Sequence, residues 1–211
     1  MREKKKWKIF VSLDKEEAWL NKQLENGWRF TGITAMGRYK FREVEAVDHD
    51  KVIRVDYRKF EKTAPYSDYL QFMEDAGWKH LAGKKDSGTH YYIGSKTNQM
   101  ELYSDNDSKL ERDKRLRKGY AVSMLPILVI YYVLFEKGSV SAVMNPSQFF
   151  LTPGLWEKTG SAFTKAFLFE LPFAGMRLAV ALIFPIVLIF FGVTLAKIQW
   201  NILQREKMIK K

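Results

Sequence analysis

The sequence contains no cysteine, and this absence excludes several classes of function at once. Disulfide bonds, thiol nucleophiles and cysteine-based zinc sites are all ruled out. The three histidines, His49, His80 and His90, lack the helical i, i+4 spacing of a metal site. His80 and His90 could approach each other on neighbouring strands, but two ligands make a weak site. We therefore predict no metal site and no cofactor.

Two long apolar segments, residues 119–135 and residues 178–196, contain no charged residue. At about 1.5 Å per helical residue, their lengths approach the ~30 Å hydrocarbon core of a bilayer. We predict transmembrane helices at residues 119–136 and 178–197. Because neither run contains an ionisable group, transport by this chain alone is not expected. No apolar segment follows the basic first residues, so we expect no signal peptide.

The formal charge of +11 is concentrated beside these two runs. Residues 109–118 and residues 197–211 each carry a net charge of +4, whereas residues 1–108 carry only +2. The positive-inside rule then predicts a cell-membrane protein with both termini in the cytoplasm. Nucleic-acid binding is not favoured, because the N-terminal part is nearly neutral. The side chains expected at the membrane interface are Arg115, Arg117, Lys118, Trp156 and Trp200.

Composition also sets the remaining boundaries. We predict a cytosolic domain at residues 1–103, a linker and basic juxtamembrane helix at 104–118, an extracytoplasmic loop at 137–177 and a basic cytoplasmic tail at 198–211. Within the loop, residues 156–171 combine aromatic side chains with sparse charge. This pattern is typical of a helix lying on the outer leaflet, and a loop folded over the two spans is an equal alternative.

Residues 1–103 show the mixed periodicity of an α+β domain. Alternation predicts a first strand at residues 7–13, and Asp14 has the position of a helix N-cap. The elements predicted next are a helix at 15–26 and strands at 28–33 and 38–42. The same order then recurs, with a strand at 51–60, a helix beginning near Pro65, and strands at 80–83 and 90–93.

An offset of 50 residues superposes the two halves of this domain, placing Gly27-Trp28 on Gly77-Trp78 and Arg29 on Lys79. We interpret the match as an internal duplication of a strand–helix–strand–strand unit, with chance Gly-Trp pairs as the alternative. Two such units predict an antiparallel sheet with both helices on one face, followed by two transmembrane α-helices.

No catalytic constellation stands out, and we predict no catalytic residue. The acidic cluster Asp14, Glu16 and Glu17 lies at a helix start, where the helix dipole accounts for it.

One polar set on the predicted strand at 51–60 suggests binding. Arg54, Asp56 and Arg58 share one face of that strand and form a candidate interaction face for an acidic group. The alternative is a cross-strand salt-bridge ladder with neighbouring strand residues, Lys40, Arg42 or Glu43.

Several short stretches together resemble a known group of proteins: residues 14–20, Asn26-Gly27-Trp28, residues 54–57, Tyr69-Leu70 and Ala76-Gly77-Trp78. They resemble an uncharacterised family of mainly Gram-positive bacterial proteins. Many members carry C-terminal membrane spans and are encoded beside PadR-type transcriptional regulators. The resemblance covers about residues 8–95 and brings no established catalytic residues. It implies a membrane-associated accessory or regulatory protein of an envelope-stress or antimicrobial-response module.

We therefore predict a non-enzymatic, membrane-anchored accessory or regulatory protein whose cytosolic domain binds a protein partner. Two alternatives stay open. One is a membrane-surface enzyme or ligand-binding domain acting on lipid or nucleotide groups. The other is an immunity or resistance protein that acts through the outer loop. The expected partners are the lipid bilayer and one protein, with no nucleic acid, and a homo-oligomer formed through an exposed sheet face is a further alternative.

Overall fold

A computed structural model describes most of the chain, namely residues 2–44, 50–97, 102–103, 106–136 and 145–210. His49 lies outside the described residues. The chain divides into two compact units. The first unit combines Met1–Gly119 with Leu195–Lys211, and the second is Tyr120–Thr194. Each unit is described by itself.

The first half of the domain contains three strands and one helix, β1 Glu3–Trp7, α1 Leu13–Glu25, β2 Trp28–Ile33 and β3 Arg38–Glu43. Ser12 precedes α1 with an extended backbone, and its Oγ accepts a hydrogen bond from the Lys15 amide at 3.4 Å. Gly27 follows the helix with a φ of 79°, a left-handed conformation that glycine adopts without steric cost. These two signals set the bounds of α1.

The second half repeats this order with β4 Lys51–Tyr57, α2 Thr63–Asp75, β5 Lys79–Ala82 and β6 Thr89–Ser95. Pro65 lies in the first turn of α2, where backbone N–H groups have no helical partner. Gly77 follows α2 with a φ of 83°, close to the value at Gly27. The second helix therefore ends by the same means as the first.

The strands form two antiparallel sheets of three strands with matching internal order, β1-β3-β2 and β4-β6-β5. α1 and α2 begin 50 residues apart, at Leu13 and Thr63. The ladder of each sheet shifts register once, between Phe30 and Gly32 and between His80 and Ala82. The two halves therefore share element order, strand order and the position of a bulge.

The predicted α+β class is confirmed, but three details of the prediction are wrong. The strands form two sheets rather than one. The first strand does not run over residues 7–13, because β1 ends at Trp7 and Leu13 already belongs to α1. Ser12, not Asp14, caps the helix. The apolar residues after β1 pack instead of pairing, since the Phe10 ring lies 5.3 Å from that of Trp19 on α1.

The two sheets differ in how much of their surface is buried. One face of the second sheet packs on α2 in a cluster of Val52, Tyr69, Met73, Trp78 and Tyr92. On its other face, Ile53 and Val55 are fully buried and the Tyr91 ring lies 4.7 Å from that of Phe30 in the first sheet. The first sheet buries only the face that carries Phe30 and Phe41. Its opposite face is exposed.

Two long helices complete the fold, α3 Asn106–Glu136 and α4 Gly160–Ile209, with 31 and 50 residues. At about 1.5 Å per residue they are roughly 46 and 75 Å long. Both are long and apolar enough to cross a membrane, and few residues of their apolar windows are buried within the protein. The core helix of a soluble domain would bury most of such a window. Membrane association, as predicted, is therefore supported.

In the second unit, the segment before α4 forms two short 3-10 helices, Pro146–Phe149 and Leu155–Glu157. Glu170 of α4 holds this segment by accepting a hydrogen bond from the Thr152 hydroxyl at 2.7 Å. Residues 160–171 are helical, but they form the N-terminal part of α4 rather than a separate helix. The segment before α4 packs on this part of the helix.

Candidate functional site: an arginine–carboxylate network

The free edge of β4 is covered by side chains of α1. Asn21 accepts a hydrogen bond from the Ile53 amide at 2.7 Å and donates one to the Ile53 carbonyl at 3.0 Å. Glu17 accepts from the Val55 amide at 3.0 Å. An uncovered strand edge would expose unpaired backbone groups to other chains. α1 therefore closes this edge with polar side chains rather than with another strand.

α3 completes the covering of the same edge. The Arg112 Nη1 donates to the Val55 carbonyl at 3.1 Å, and the Arg115 Nε donates to the Tyr57 carbonyl at 3.0 Å. Gly119 lies so close to the Tyr57 ring that a Cβ at this position would overlap it. The start of α3 is therefore fitted to β4 by two arginines and one glycine.

Arg112 is the centre of a buried ion-pair network. Its side chain is only 1% exposed and pairs with Asp14 on α1. Arg205, near the end of α4, pairs with the other oxygen of Asp14 and donates to Asp113 on α3 at 2.8 Å. Asp14 therefore forms an ion pair with one arginine from each of the two long helices.

Three arginines and three carboxylates balance the charge of this network. Arg54 pairs with Glu17 at 2.9 Å, and Arg112 Nη1 lies 4.0 Å from the same carboxylate. Burial raises the pKa of Glu17 above its ordinary value despite the neighbouring Arg54. Burial also opposes the ionisation of Asp14, but the attraction of Arg112 and then Arg205 lowers its pKa overall. Removing one partner of such a buried set leaves an uncompensated charge.

A further buried carboxylate, Asp56, lies beside this network. It accepts hydrogen bonds from the hydroxyls of Tyr103 and Tyr69, the latter at 2.5 Å. It also forms an ion pair with Arg115 at 3.3 Å. Burial opposes its ionisation, yet these donors lower its pKa below the usual value. With an exposed fraction of 2%, Asp56 ties the start of α3 to β4 and α2 rather than facing solvent.

The buried carboxylate of Glu16 lies between the two sheets. Its Oε1 accepts hydrogen bonds from the hydroxyls of Tyr39 on β3 and Tyr91 on β6, each at 2.6 Å. Burial raises the pKa of Glu16 more than these hydrogen bonds lower it. This carboxyl group therefore joins the two halves of the domain from within and is not presented to a substrate.

The predicted interaction face is not assembled as one surface. Asp56 is buried, and Arg54 is half-buried against Glu17 instead of Lys40, Arg42 or Glu43. Arg58 alone is exposed, with its guanidinium carbon 5.0 Å from the centre of the Tyr69 ring. The pattern of alternation identified the strand but not its end, because β4 ends at Tyr57 and Arg58 follows it. It also did not reveal that the strand is buried on both faces.

The residues predicted for the membrane interface differ in their contacts and in their exposure. Arg115 is part of the contact with β4 and Asp56 rather than free at an interface. Arg117 donates to the Gln199 side chain at 2.5 Å, and Lys118 is exposed. Trp156 and Trp200 are both mostly exposed, as interfacial aromatics would be.

The two described histidines do approach each other, with ring centres of His80 and His90 5.9 Å apart. Burial lowers the pKa of each, so both rings favour the neutral form. Across the described residues, no group of three metal-ligating side chains occurs.

Sequence reasoning missed Arg112, Asp113 and Arg205 as members of a site. Their charges were attributed to the basic flanks of membrane helices, which accounts for a net charge but not for individual partners. The sequence signal that could have indicated these partners is the acidic cluster at the start of α1. Once this cluster is buried, nearby cations have to balance its charge.

The fold and the network define a class of protein: an α+β domain whose chain continues into two helices long and apolar enough to cross a membrane. Within this class, the chain belongs to the family of proteins of unknown function DUF2812, which matches residues 12–125. The match begins at the N-cap of α1 and ends inside α3, so it includes Asp14, Glu17, Arg54 and Arg112. No curated protein and no solved structure matches the chain.

Proposed function

We propose that this chain is a non-enzymatic, membrane-anchored regulatory protein whose cytosolic domain binds an acidic protein partner. The observation that carries the proposal is the pairing of Asp14 with arginines from both long helices, Arg112 of α3 and Arg205 of α4. A displacement of either helix would have to break or rearrange this pairing. The state of the membrane helices is thereby linked to α1 and to the edge of β4.

The topology that we propose places both apolar segments across the bacterial membrane and both termini in the cytoplasm. The net charge of +4 on residues 109–118 and again on residues 197–211 supports this orientation. The same segments form the helix ends that belong to the first unit with the domain. Charge and fold are thus consistent with one location for the domain and both helix ends.

The surface that we propose for the partner is the exposed face of the first sheet, here called the basic face. It carries five cations and one carboxylate, with an exposed tryptophan at one end: Lys5, Arg29, Arg38, Lys40, Arg42, Glu3 and Trp7. Exposed aromatic and arginine side chains are frequent anchors of protein interfaces. Charge complementarity then favours an acidic segment of another protein.

Two pairs of like charge lie directly opposite each other on the basic face, Lys5 with Lys40 and Arg29 with Arg42. Such pairs are destabilising, by roughly 0.2–1 kcal/mol each. Only Arg42 has a carboxylate partner on this face among the described residues, Glu3 at 3.2 Å. An acidic partner would relieve this repulsion. A face with a purely structural role does not require such pairs of like charge.

We further infer that the two halves of the domain arose by duplication, since helix positions, strand order and bulges recur at one offset. In that case the exposed basic face distinguishes the first half from the second, because the second sheet is buried on both faces. The resemblance to proteins encoded beside PadR-type regulators would fit a partner in an envelope-stress or antimicrobial-response module.

The test is affinity purification of the full-length protein from native membranes after mild crosslinking. The variant Arg38→Glu/Lys40→Glu reverses two charges of the basic face. Lys62→Glu/Lys84→Glu makes the same change at two exposed lysines outside it. We expect a stoichiometric protein, crosslinked through an acidic segment, that the first variant loses and the second retains. Equal recovery with both variants would contradict the proposal, as would the absence of any such protein.

A further inference from the structure

A cavity of about 310 Å³ lies in the first unit, lined by residues from both halves of the domain. Three cations come from three different strands, Arg29 of β2, Lys51 of β4 and Lys79 of β5. Three apolar side chains complete most of the wall, Leu24, Val44 and Ile93. The cavity therefore combines positive charge with an apolar lining.

Two of the cations occupy equivalent positions in the two halves. Arg29 follows Gly27-Trp28 and Lys79 follows Gly77-Trp78, at the offset of 50 residues that relates α1 to α2. Gly77 and Gly94 also line the cavity, and a Cβ at Gly94 would lie 2.7 Å from the Trp78 ring. Close packing of Trp78 on glycine thus fixes this part of the wall.

Among the residues that the structure describes, no carboxylate lines the cavity and none lies within ion-pair distance of Arg29, Lys51 or Lys79. The arginines of the network around Arg112, by contrast, pair with carboxylates. Cations that surround a small cavity repel each other, and this repulsion is relieved when an anion enters.

Size and charge restrict the chemistry of that anion. Small-molecule sites occupy about 300–1,000 Å³, so this cavity is at the lower limit of the range. A phosphate monoester carries about −1.5 to −2 charges near neutral pH, which suits three cations better than a single carboxylate does. The apolar wall formed by Leu24, Val44 and Ile93 suits a short organic substituent.

We propose that this cavity binds the phosphate group of a small phosphate monoester, either a soluble metabolite or an anionic lipid headgroup. The inference does not depend on the proposed partner. Arg29 belongs to both surfaces, but Lys51 and Lys79 are absent from the basic face, and Arg38 and Lys40 are absent from the cavity. Variants of these two pairs therefore separate anion binding from partner binding.

The test is calorimetric titration of glycerol 3-phosphate into the full-length protein in phosphatidylcholine nanodiscs. We expect saturable binding at one site. Lys51→Gln/Lys79→Gln should weaken it by about tenfold or more, because it removes two charge-assisted contacts. The matched control, Arg38→Gln/Lys40→Gln, removes equal charge from the basic face and should leave the affinity within about twofold.

A second arm identifies the source of the phosphate group. Phosphatidic acid is added to the nanodiscs, and the melting temperature of the domain is measured together with the glycerol 3-phosphate titration. A higher melting temperature and loss of the titration signal, both absent in Lys51→Gln/Lys79→Gln, would identify a lipid headgroup. Unchanged titration would identify a soluble ligand. The proposal is overturned if neither arm detects binding, or if the control pair weakens binding as much as the cavity pair.

Discussion

Replacing Arg112 by glutamine should destabilise the domain more than any other single change of charge in the network. Arg112 pairs with Asp14, lies 4.0 Å from Glu17 and donates to the Val55 carbonyl at 3.1 Å, with its side chain 1% exposed. Its loss leaves three carboxylates facing two arginines. The glutamine amide is also shorter than the guanidinium, so it forms a poorer hydrogen bond with the buried Val55 carbonyl.

The magnitude follows from the burial of the partners. Breaking a buried ion pair costs about 3–5 kcal/mol. The Asp14 side chain is 44% exposed, so water compensates part of its charge and the lower limit applies, about 3 kcal/mol. For a domain of about 100 residues, 1 kcal/mol shifts the melting temperature by about 4–8 °C, so we expect a decrease of about 12–24 °C.

The assay is thermal unfolding of the full-length protein in detergent, followed by tryptophan fluorescence, because Trp78 lies in the core of the domain. Arg112→Lys keeps the charge but not the planar fork, and should fall between wild type and glutamine. Lys114→Gln on the same helix removes an exposed pair with Glu111 and should cost less than about 0.5 kcal/mol. Equal melting temperatures for Arg112→Gln and Lys114→Gln would refute the central role of Arg112.

Two further predictions concern the interior of the domain. Because burial raises the pKa of Glu16, the folded state keeps its proton at pH values where the unfolded chain, with a pKa of about 4.3, has released it. Stability contributed by Glu16 is therefore lost as the pH rises above about 4.3. Between pH 4.5 and 7, the melting temperature of Glu16→Gln should rise relative to that of the wild type. A constant difference over this range would contradict the burial of a titrating carboxyl group. Gly119→Ala should lower the melting temperature by overlap with Tyr57, at a cost of about 1–3 kcal/mol, since no space exists for the methyl group. Gly175→Ala, also in a long helix but with open space around it, should be neutral or stabilising, and the same result for both glycines would argue against the close approach of α3 to β4.

Most elements of the domain could be predicted because local signals mark their ends. Gly27 and Gly77 end the two helices, and the strands that follow alternate clearly. β1 was misplaced because its lysines, residues 4–6, hide the alternation, whereas the apolar residues that follow imitate it. Local patterning is therefore reliable where a cap is present and fails at a charged edge strand.

The candidate site was largely unpredictable for a different reason. Asp14 and Arg205 are separated by 191 positions and meet only because α4 returns to the domain. Arg54 and Asp56 were selected as a surface, but whether a strand is buried on both faces depends on what packs against it. Sequence spacing identifies the charged residues, and only the fold decides which of them become partners.

The proposed link between the two long helices and the domain is tested most directly by hydrogen exchange of the full-length protein in nanodiscs, comparing Arg205→Gln with Lys207→Gln. Arg205 pairs with Asp14 and Asp113, whereas Lys207 is exposed on the same helix. We predict that Arg205→Gln accelerates exchange in α1 and at the edge of β4, and that Lys207→Gln leaves both unchanged. Unaltered protection of α1 and β4 in Arg205→Gln would contradict the proposal that α4 acts on the domain through this network.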